Sequence, residues 1–324
     1  MRCIGVLTSG GDVPGLNACI RAVTRTALAQ GVTVMGVQHG YAGLMHGEMM
    51  ALDSRAVGGI MQRGGTFLGT ARSPAFETLA GQQQAAAQVA RAGIEGLVIV
   101  GGNGSLCGAL ALHELGVPVI GVPKTIDNDQ YGTDIAIGVD TALNTIVDAI
   151  GRVKDTASSH HRAFLIETMG RNCGYLALAS SLISGAELAL VPEHPVTPEA
   201  VAHVIERAYR IGKSHCIIVV AEGWKPGLRV LQAHLRENNR DEGFDVREVV
   251  LGHVQRGGTP TAFDRMLGTR LGAFATERLL DGSGAGMLAG WHGNRPGLMP
   301  LREAVAGCHK LDPELLRLAE VLAV

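Results

Sequence analysis

Apolar and polar positions alternate along this chain in a repeating order. Cys3 to Leu7 is a short apolar run, and Thr8-Ser9-Gly10-Gly11-Asp12 is a polar, glycine-bearing turn. Residues 17–30 then place apolar side chains at helical spacing, and 32–37 form another apolar run. The order recurs with a helix over 80–92, a strand over 96–100, a glycine turn at 101–104, a helix over 105–115 and a strand over 117–122. A second unit starts near 139. Its pattern predicts a helix to 155, a strand over 162–167, a helix over 173–184 and a strand over 187–191. A helix over 198–211, a strand over 216–221, a helix over 230–238 and a strand over 248–254 follow. A helix over 263–280 returns to the first sheet. Strand–helix alternation of this kind predicts α/β domains, with mainly parallel sheets covered by helices on both faces. Two such Rossmann-like, three-layer α/β/α units are expected, with a cleft between them. Ligands in such folds lie beyond the carboxyl ends of the strands. The turns at 8–12, 101–105 and 122–129 fall there.

Composition narrows the function classes. With 324 residues and 46% hydrophobic content, the chain can fill two cores. Forty-five glycines and only 4% aromatics suit turns and small-residue strands better than an all-β architecture. A formal charge of -2 provides no field for nucleic acid or an anionic membrane. No apolar stretch approaches a membrane span, and the amino end carries no signal-peptide pattern. Six scattered cysteines without a CxxC pair read as buried free thiols in a reducing cytoplasm.

The candidate chemistry lies in the turns. Gly10-Gly11-Asp12 lets backbone approach a ligand and turn N–H groups toward phosphate; a plain tight turn is the alternative. Gly101-Gly102-Asn103-Gly104-Ser105 opens a helix, where Ser105 caps free N–H groups and the helix amino end favours an anion. A Walker-A pattern is absent. Pro123-Lys124-Thr125-Ile126-Asp127-Asn128-Asp129 brings together a cation, a hydroxyl and two carboxylates. One carboxylate can take the proton of an attacking alcohol while the other holds Mg²⁺, the division of labour that phosphoryl transfer needs. A solvated acidic turn is the alternative. Arg72, Arg162, Arg171, Arg247 and Arg256 lie near strand ends or glycine turns, where guanidinium forks suit phosphate. No histidine shows metal-site spacing.

Five segments stand out together: Leu7 to Asp12, Gln62-Arg63-Gly64-Gly65-Thr66, Thr125 to Asp129, Met169-Gly170-Arg171, and Gly252-His253-Val254-Gln255-Arg256-Gly257-Gly258. Jointly they resemble the signature of the bacterial 6-phosphofructokinase family. They occur in family order over nearly the whole chain. The resemblance implies phosphorylation of the 1-hydroxyl of fructose 6-phosphate, with Asp127 as general base. It places Thr125, Asp127, Asp129, Met169, Gly170, Arg171, Glu222, His253 and Arg256 around the sugar. Arg162 and Arg247 would reach the 6-phosphate from a neighbouring subunit, which implies a homotetramer. Gly11, Arg72, Asn103, Gly104, Ser105, Gly108 and Lys124 would border the phosphoryl donor, and Arg72 and Arg171 would offset charge on the transferring group. Thr125 joins Asp127, Arg72 and Arg171 in the catalytic set. Asn103 and Asp129 would face Mg²⁺. Residues 1–138 with 256–309 would bind the donor, and 139–255 with 310–324 the sugar phosphate.

Three departures from the family pattern carry consequences. Asn103 stands where an aspartate is usual, so Mg²⁺ is held with less charge. Lys124 stands where the ATP enzymes have glycine and pyrophosphate-using relatives have lysine. Gly104 points the other way, because those relatives carry aspartate there. ATP is therefore the expected donor, with pyrophosphate as the alternative, and a weakly active or regulatory relative as a third reading. The effector set is Arg21, Arg25, Arg55, Lys154, Gly185, Glu187 and Lys213. Within it, Lys154 replaces an arginine, Ser54 another, and Ile211 a basic residue, so weakened or altered effector control is expected. A dehydrogenase is excluded on the missing GxGxxG turn.

Overall fold

The computed structural model describes residues 1–238 and 244–322. The chain forms two compact units. The first comprises Met1–Ile126, Gln130–Thr141 and Arg256–His309; the second comprises Asp127–Asp129 and the described parts of Ala142–Gln255 and Lys310–Val324.

The first unit begins with β1 (Cys3–Thr8), α1 (Leu16–Ala29), β2 (Thr33–Val37), α2 (Gly40–His46) and β3 (Met49–Leu52). It continues with α3 (Leu79–Arg91), β4 (Gly96–Gly101), α4 (Asn103–Glu114) and β5 (Val119–Pro123). Helix α5 (Val139–His160) leads into the second unit. There β6 (Arg162–Thr168), α6 (Tyr175–Ser184), β7 (Leu188–Leu190), α7 (Pro198–Arg210), β8 (Cys216–Ala221), α8 (Leu228–Asn238) and β9 (Asp245–Val250) follow. The first unit is completed by α9 (Ala262–Leu280), β10 (Met287–His292), β11 (Arg295–Pro300) and α10 (Leu301–Ala306), and α11 (Pro313–Leu322) belongs to the second.

The first unit is built on a seven-stranded sheet in the order β11-β10-β5-β4-β1-β2-β3. Its centre is parallel, and the two edge strands pair antiparallel. Strand β4 is buried at every position, as a parallel strand covered on both faces must be. Helix α9 lies close on α1 because Gly268 and Gly272 bear no side chain. A Cβ there would stand 2.8 Å from Gly15 O and 2.7 Å from Cys19 O. The register Thr8↔Val100 and Gly101↔Pro123 lines up the carboxyl ends of β1, β4 and β5 on one edge. The second unit has a four-stranded, all-parallel sheet in the order β7-β8-β6-β9. Its central strand β8 is buried throughout.

Several local expectations need correction. The strand expected over 248–254 ends at Val250, and Gly252–Arg256 is a 3₁₀ turn instead. Gly252 has φ +54°, which breaks the extended run. The helix expected from 173 starts at Tyr175, because Gly170 to Cys173 form a turn closed by Cys173 N–H donating to Gly170 O. Helix α5 runs on to His160 rather than stopping at 155. Elements α2, β3, β10, β11, α10 and α11 were not expected. All six cysteines are free, but only Cys19, Cys173 and Cys216 are buried; Cys107 and Cys308 are exposed. Among the described residues, no helix is long and apolar enough to cross a membrane.

Candidate active site

In the first unit, the turn after β1 is fixed from three directions. Ser9 N–H donates to Val100 O at 3.1 Å, and Thr70 Oγ1 donates to Gly10 O at 2.6 Å. The buried Lys124 sends its ammonium to Ser9 O at 3.0 Å and to Gly11 O. The charge expected to meet the donor is thus engaged by turn carbonyls. Gly10 has φ +82°, which a side chain resists. A Cβ on Gly11 would collide with the Arg256 guanidinium, so glycine lets that group lie against the turn. The segment carrying Arg72 is tied in next to Gly10 through Thr70, and Arg72 itself is exposed. Asn17, buried in α1, receives Phe67 N–H at 2.6 Å and donates to Arg63 O at 3.0 Å, which pins the 62–66 loop.

The second turn runs into α4. Gly102 is extended and precedes Asn103, the first helical residue, which is exposed. Ser105 is buried and accepts at its carbonyl from the Tyr41 hydroxyl at 2.5 Å. Tyr41 stacks on Phe76 with ring centroids 3.9 Å apart, and Gly108 leaves space for the pair, since a Cβ there would lie 2.8 Å from Phe76. At Gly104 a Cβ would meet nothing within 4 Å. The amino end of α4 at Gly104 thus opens on accessible space, and the positive end of a helix dipole suits phosphate. Thr125 is half-buried beside this turn, 3.9 Å from where a Gly102 Cβ would stand.

In the second unit, Asp127 is buried and Asp129 half-buried. Arg171 Nε stands 3.5 Å from Asp127 Oδ2. Arg171 has φ +51° and Gly170 φ +139°, so the turn after β6 needs holding in place. Two side chains do this. Glu222 Oε1 accepts from Gly170 N–H at 3.2 Å and Arg171 N–H at 2.7 Å. The fully buried Gln255 accepts from Met169 N–H at 3.1 Å and donates to Gly252 O at 2.8 Å. Gln255 thereby joins the end of β6 to the 3₁₀ turn that carries the exposed His253. Burial pushes the Cys173 thiol up to about 12, and the charges of Glu193, Asp129 and Asp127 act in the same direction, so it stays neutral beside the carboxylates.

Arg162 and Arg247 come together on neighbouring strands. Both point at one carboxylate, Asp245, at 3.2 Å and 2.7 Å. The expected effector residues fall into two groups. Arg21 and Arg25 lie on α1 and Arg55 just beyond β3, with Arg25 Nη2 donating to Ser54 O at 3.5 Å. In the second unit, Lys154 donates to Ser184 O and to Gly185 O, the latter at 3.3 Å. The buried Glu187 accepts from Lys213 at 3.2 Å and from Ile217 N–H at 2.6 Å. Sequence reasoning gave no role to Gln255, Asp245, Thr70 or Asn17. Of these only Gln255 lay within a quoted motif.

No cluster of three or more His, Cys, Asp or Glu suited to a metal occurs among the described residues. The half-buried Asp129 offers a carboxylate, the kind of oxygen donor that suits Mg²⁺, an ion that keeps several waters and is held largely by substrate phosphates rather than caged by protein.

Comparison with known proteins agrees over the full length. A family model described as phosphofructokinase matches residues 3–279. The ATP-dependent 6-phosphofructokinase 1 of Thermus thermophilus is 53% identical over 326 residues, covering 100% of both chains. The ATP-dependent 6-phosphofructokinase of Halalkalibacterium halodurans is 48% identical over 324 residues, again covering 100% of both. Phosphofructokinase from Saccharomyces cerevisiae has the same fold, with a TM-score of 0.86 at 34% identity over 100% of this chain; this chain spans 48% of the yeast chain. With its sheet topology, its glycine turns and a family match over most of its length, the chain belongs to the phosphofructokinase family.

Proposed function

We propose that the protein transfers the γ-phosphoryl group of ATP to the 1-hydroxyl of fructose 6-phosphate, giving fructose 1,6-bisphosphate and ADP. The observation that carries this reading is the buried Asp127 carboxylate with the Arg171 guanidinium 3.5 Å away, on a turn held by Glu222. Asp127 accepts the proton as the sugar hydroxyl attacks phosphorus. Arg171, with Arg72, offsets the charge that develops on the transferring group. The Gly11 turn, Ser105 and the amino end of α4, with Asn103, Gly104 and Gly108, receive the donor. Thr125, Asp129, Met169, Gly170, Glu222, His253 and Arg256 surround the sugar. Asn103 and Asp129 would hold Mg²⁺, which when bound would neutralise phosphate charge.

Two features support ATP over pyrophosphate. The Lys124 ammonium is engaged by Ser9 O and Gly11 O, and Gly104 has open space around it. We further propose a cytoplasmic homotetramer in which Arg162 and Arg247 reach the 6-phosphate bound at a neighbouring subunit. Arg21, Arg25, Arg55, Lys154, Gly185, Glu187 and Lys213 then form an effector site with weakened or altered control.

Asp127→Asn tests the reading. It preserves shape and removes the base, so kcat should fall about 10²- to 10⁴-fold with the fructose 6-phosphate KM little changed. A variant that retains wild-type kcat would remove Asp127 from the chemistry.

A further inference from the structure

Arg162 opens β6 and Asp245 opens β9, and the parallel register sets them side by side. Arg247 lies two residues along β9 from Asp245, hence on the same face of that strand. Both guanidiniums end on one oxygen. Arg162 Nε is 3.2 Å and Arg247 Nη2 2.7 Å from Asp245 Oδ2. All three groups keep access to solvent, with side chains 30%, 52% and 50% exposed for Arg162, Arg247 and Asp245. A carboxylate oxygen therefore occupies a two-arginine fork of the kind that suits a phosphate oxygen.

We infer that Asp245 sets the affinity of the Arg162–Arg247 phosphate subsite, holding the two guanidiniums together in the free protein and opposing the phosphate when it arrives. The inference rests on the reading of Arg162 and Arg247 as ligands of the sugar phosphate. Two effects compete. Holding two like charges close orders the fork before substrate binds, which favours binding. A carboxylate within a few ångströms of a phosphate dianion repels it, which opposes binding. The three-group cluster carries a formal charge of +1 with Asp245 and +2 without it. Ordering the two side chains is the smaller effect, because the β6–β9 pairing already fixes both backbones and Arg162 is half-buried. Repulsion of a doubly charged ligand at this range is the larger. The residue thus keeps the subsite weaker than two arginines alone would make it. Its chemistry extends to any phosphate or sulfate dianion.

The experiment uses the intact enzyme and three forms, wild type, Asp245→Asn and Arg247→Ala. The readouts are fructose 6-phosphate KM, kcat, and competitive inhibition by inorganic sulfate, at low and high ionic strength. Asparagine keeps an acceptor and nearly the same shape while removing the charge. Asp245→Asn should lower the KM and the sulfate inhibition constant about three- to tenfold at low salt. Its kcat should stay within about twofold of wild type, with the gap narrowing as salt screens the charge. Arg247→Ala should raise the KM by tens of fold, on the order expected for loss of a charged contact to phosphate. A raised KM in Arg247→Ala beside an unchanged or raised KM in Asp245→Asn overturns the role of Asp245 alone. An unchanged KM in Arg247→Ala overturns the subsite itself, and this inference with it. Equal thermal midpoints for the three forms exclude misfolding as the source of either result.

Discussion

Lys124 provides the sharpest prediction. Its ammonium is buried and donates to Ser9 O at 3.0 Å and to Gly11 O, so it braces the turn after β1. Lys124→Met keeps most of the side-chain volume and removes both donors. A hydrogen bond from a charged group contributes about 1.5–3 kcal/mol net. Ser9 is buried, so its carbonyl loses the full amount, whereas Gly11 is exposed and water takes over part of the loss. The sum is about 2–4 kcal/mol. For a chain of this size, with a urea m-value of about 3 kcal/mol/M, the denaturation midpoint should fall by roughly 1 M. Protein concentration must be matched, since assembly contributes to apparent stability. The loosened turn should also raise the ATP KM several-fold. Were Lys124 a donor-reading cation without a bracing role, the substitution would leave the midpoint unmoved and change only donor kinetics. An unshifted midpoint, whatever the ATP KM does, refutes a bracing role for Lys124.

Three further outcomes follow from the same geometry. Asp264 is fully buried, and burial pushes its carboxyl up to about 6, against hydrogen bonds from Thr141 Oγ1, Gly138 N–H and Thr141 N–H that favour the charged form. An acid whose pKa is raised on folding binds more protons in the folded state between the two values. Stability therefore falls as pH rises from about 4 through 6, by on the order of 3 kcal/mol. The stability of wild type relative to Asp264→Asn should decline over that window in urea titrations, and a rise would reverse the sign of the argument. Gly104→Asp should raise the ATP KM at least about tenfold, because a carboxylate then faces the donor phosphates, and an unchanged KM would place the donor elsewhere. Glu222→Ala releases both turn N–H groups and should cut kcat/KM about a hundredfold, while Glu222→Gln, which keeps one acceptor, should lose only about fivefold. Equal losses in the two variants would mean that charge, not turn anchoring, is what Glu222 supplies.

The sequence made the α/β layering legible because each parallel strand is a short apolar run bounded by glycine or charge. It exposed the turns after β1, β4 and β5 for the same reason. What it hid depends on pairing and direction. The 287–300 hairpin contains Gly290, Pro296 and Gly297, which erase a strand signal, and antiparallel pairing restores it. The meeting of Arg162 and Arg247 on Asp245 is a product of β6–β9 register across more than eighty residues, which no local pattern encodes. The Lys124 side chain runs to the β1 turn, where Ser9 O and Gly11 O are main-chain acceptors, invisible to any motif. Gln255 lies inside the 252–258 segment, and the bond by which it holds the Met169 turn spans 86 residues of chain, which no local pattern encodes.

The initial rate of fructose 1,6-bisphosphate formation decides both activity and donor. Purified protein with Mg²⁺ and fructose 6-phosphate would be given ATP or pyrophosphate over matched concentrations. Saturable turnover with ATP and little with pyrophosphate is expected. Preference for pyrophosphate would contradict the donor reading, and negligible turnover with either would contradict the proposed activity, with Asn103→Asp the first substitution to make.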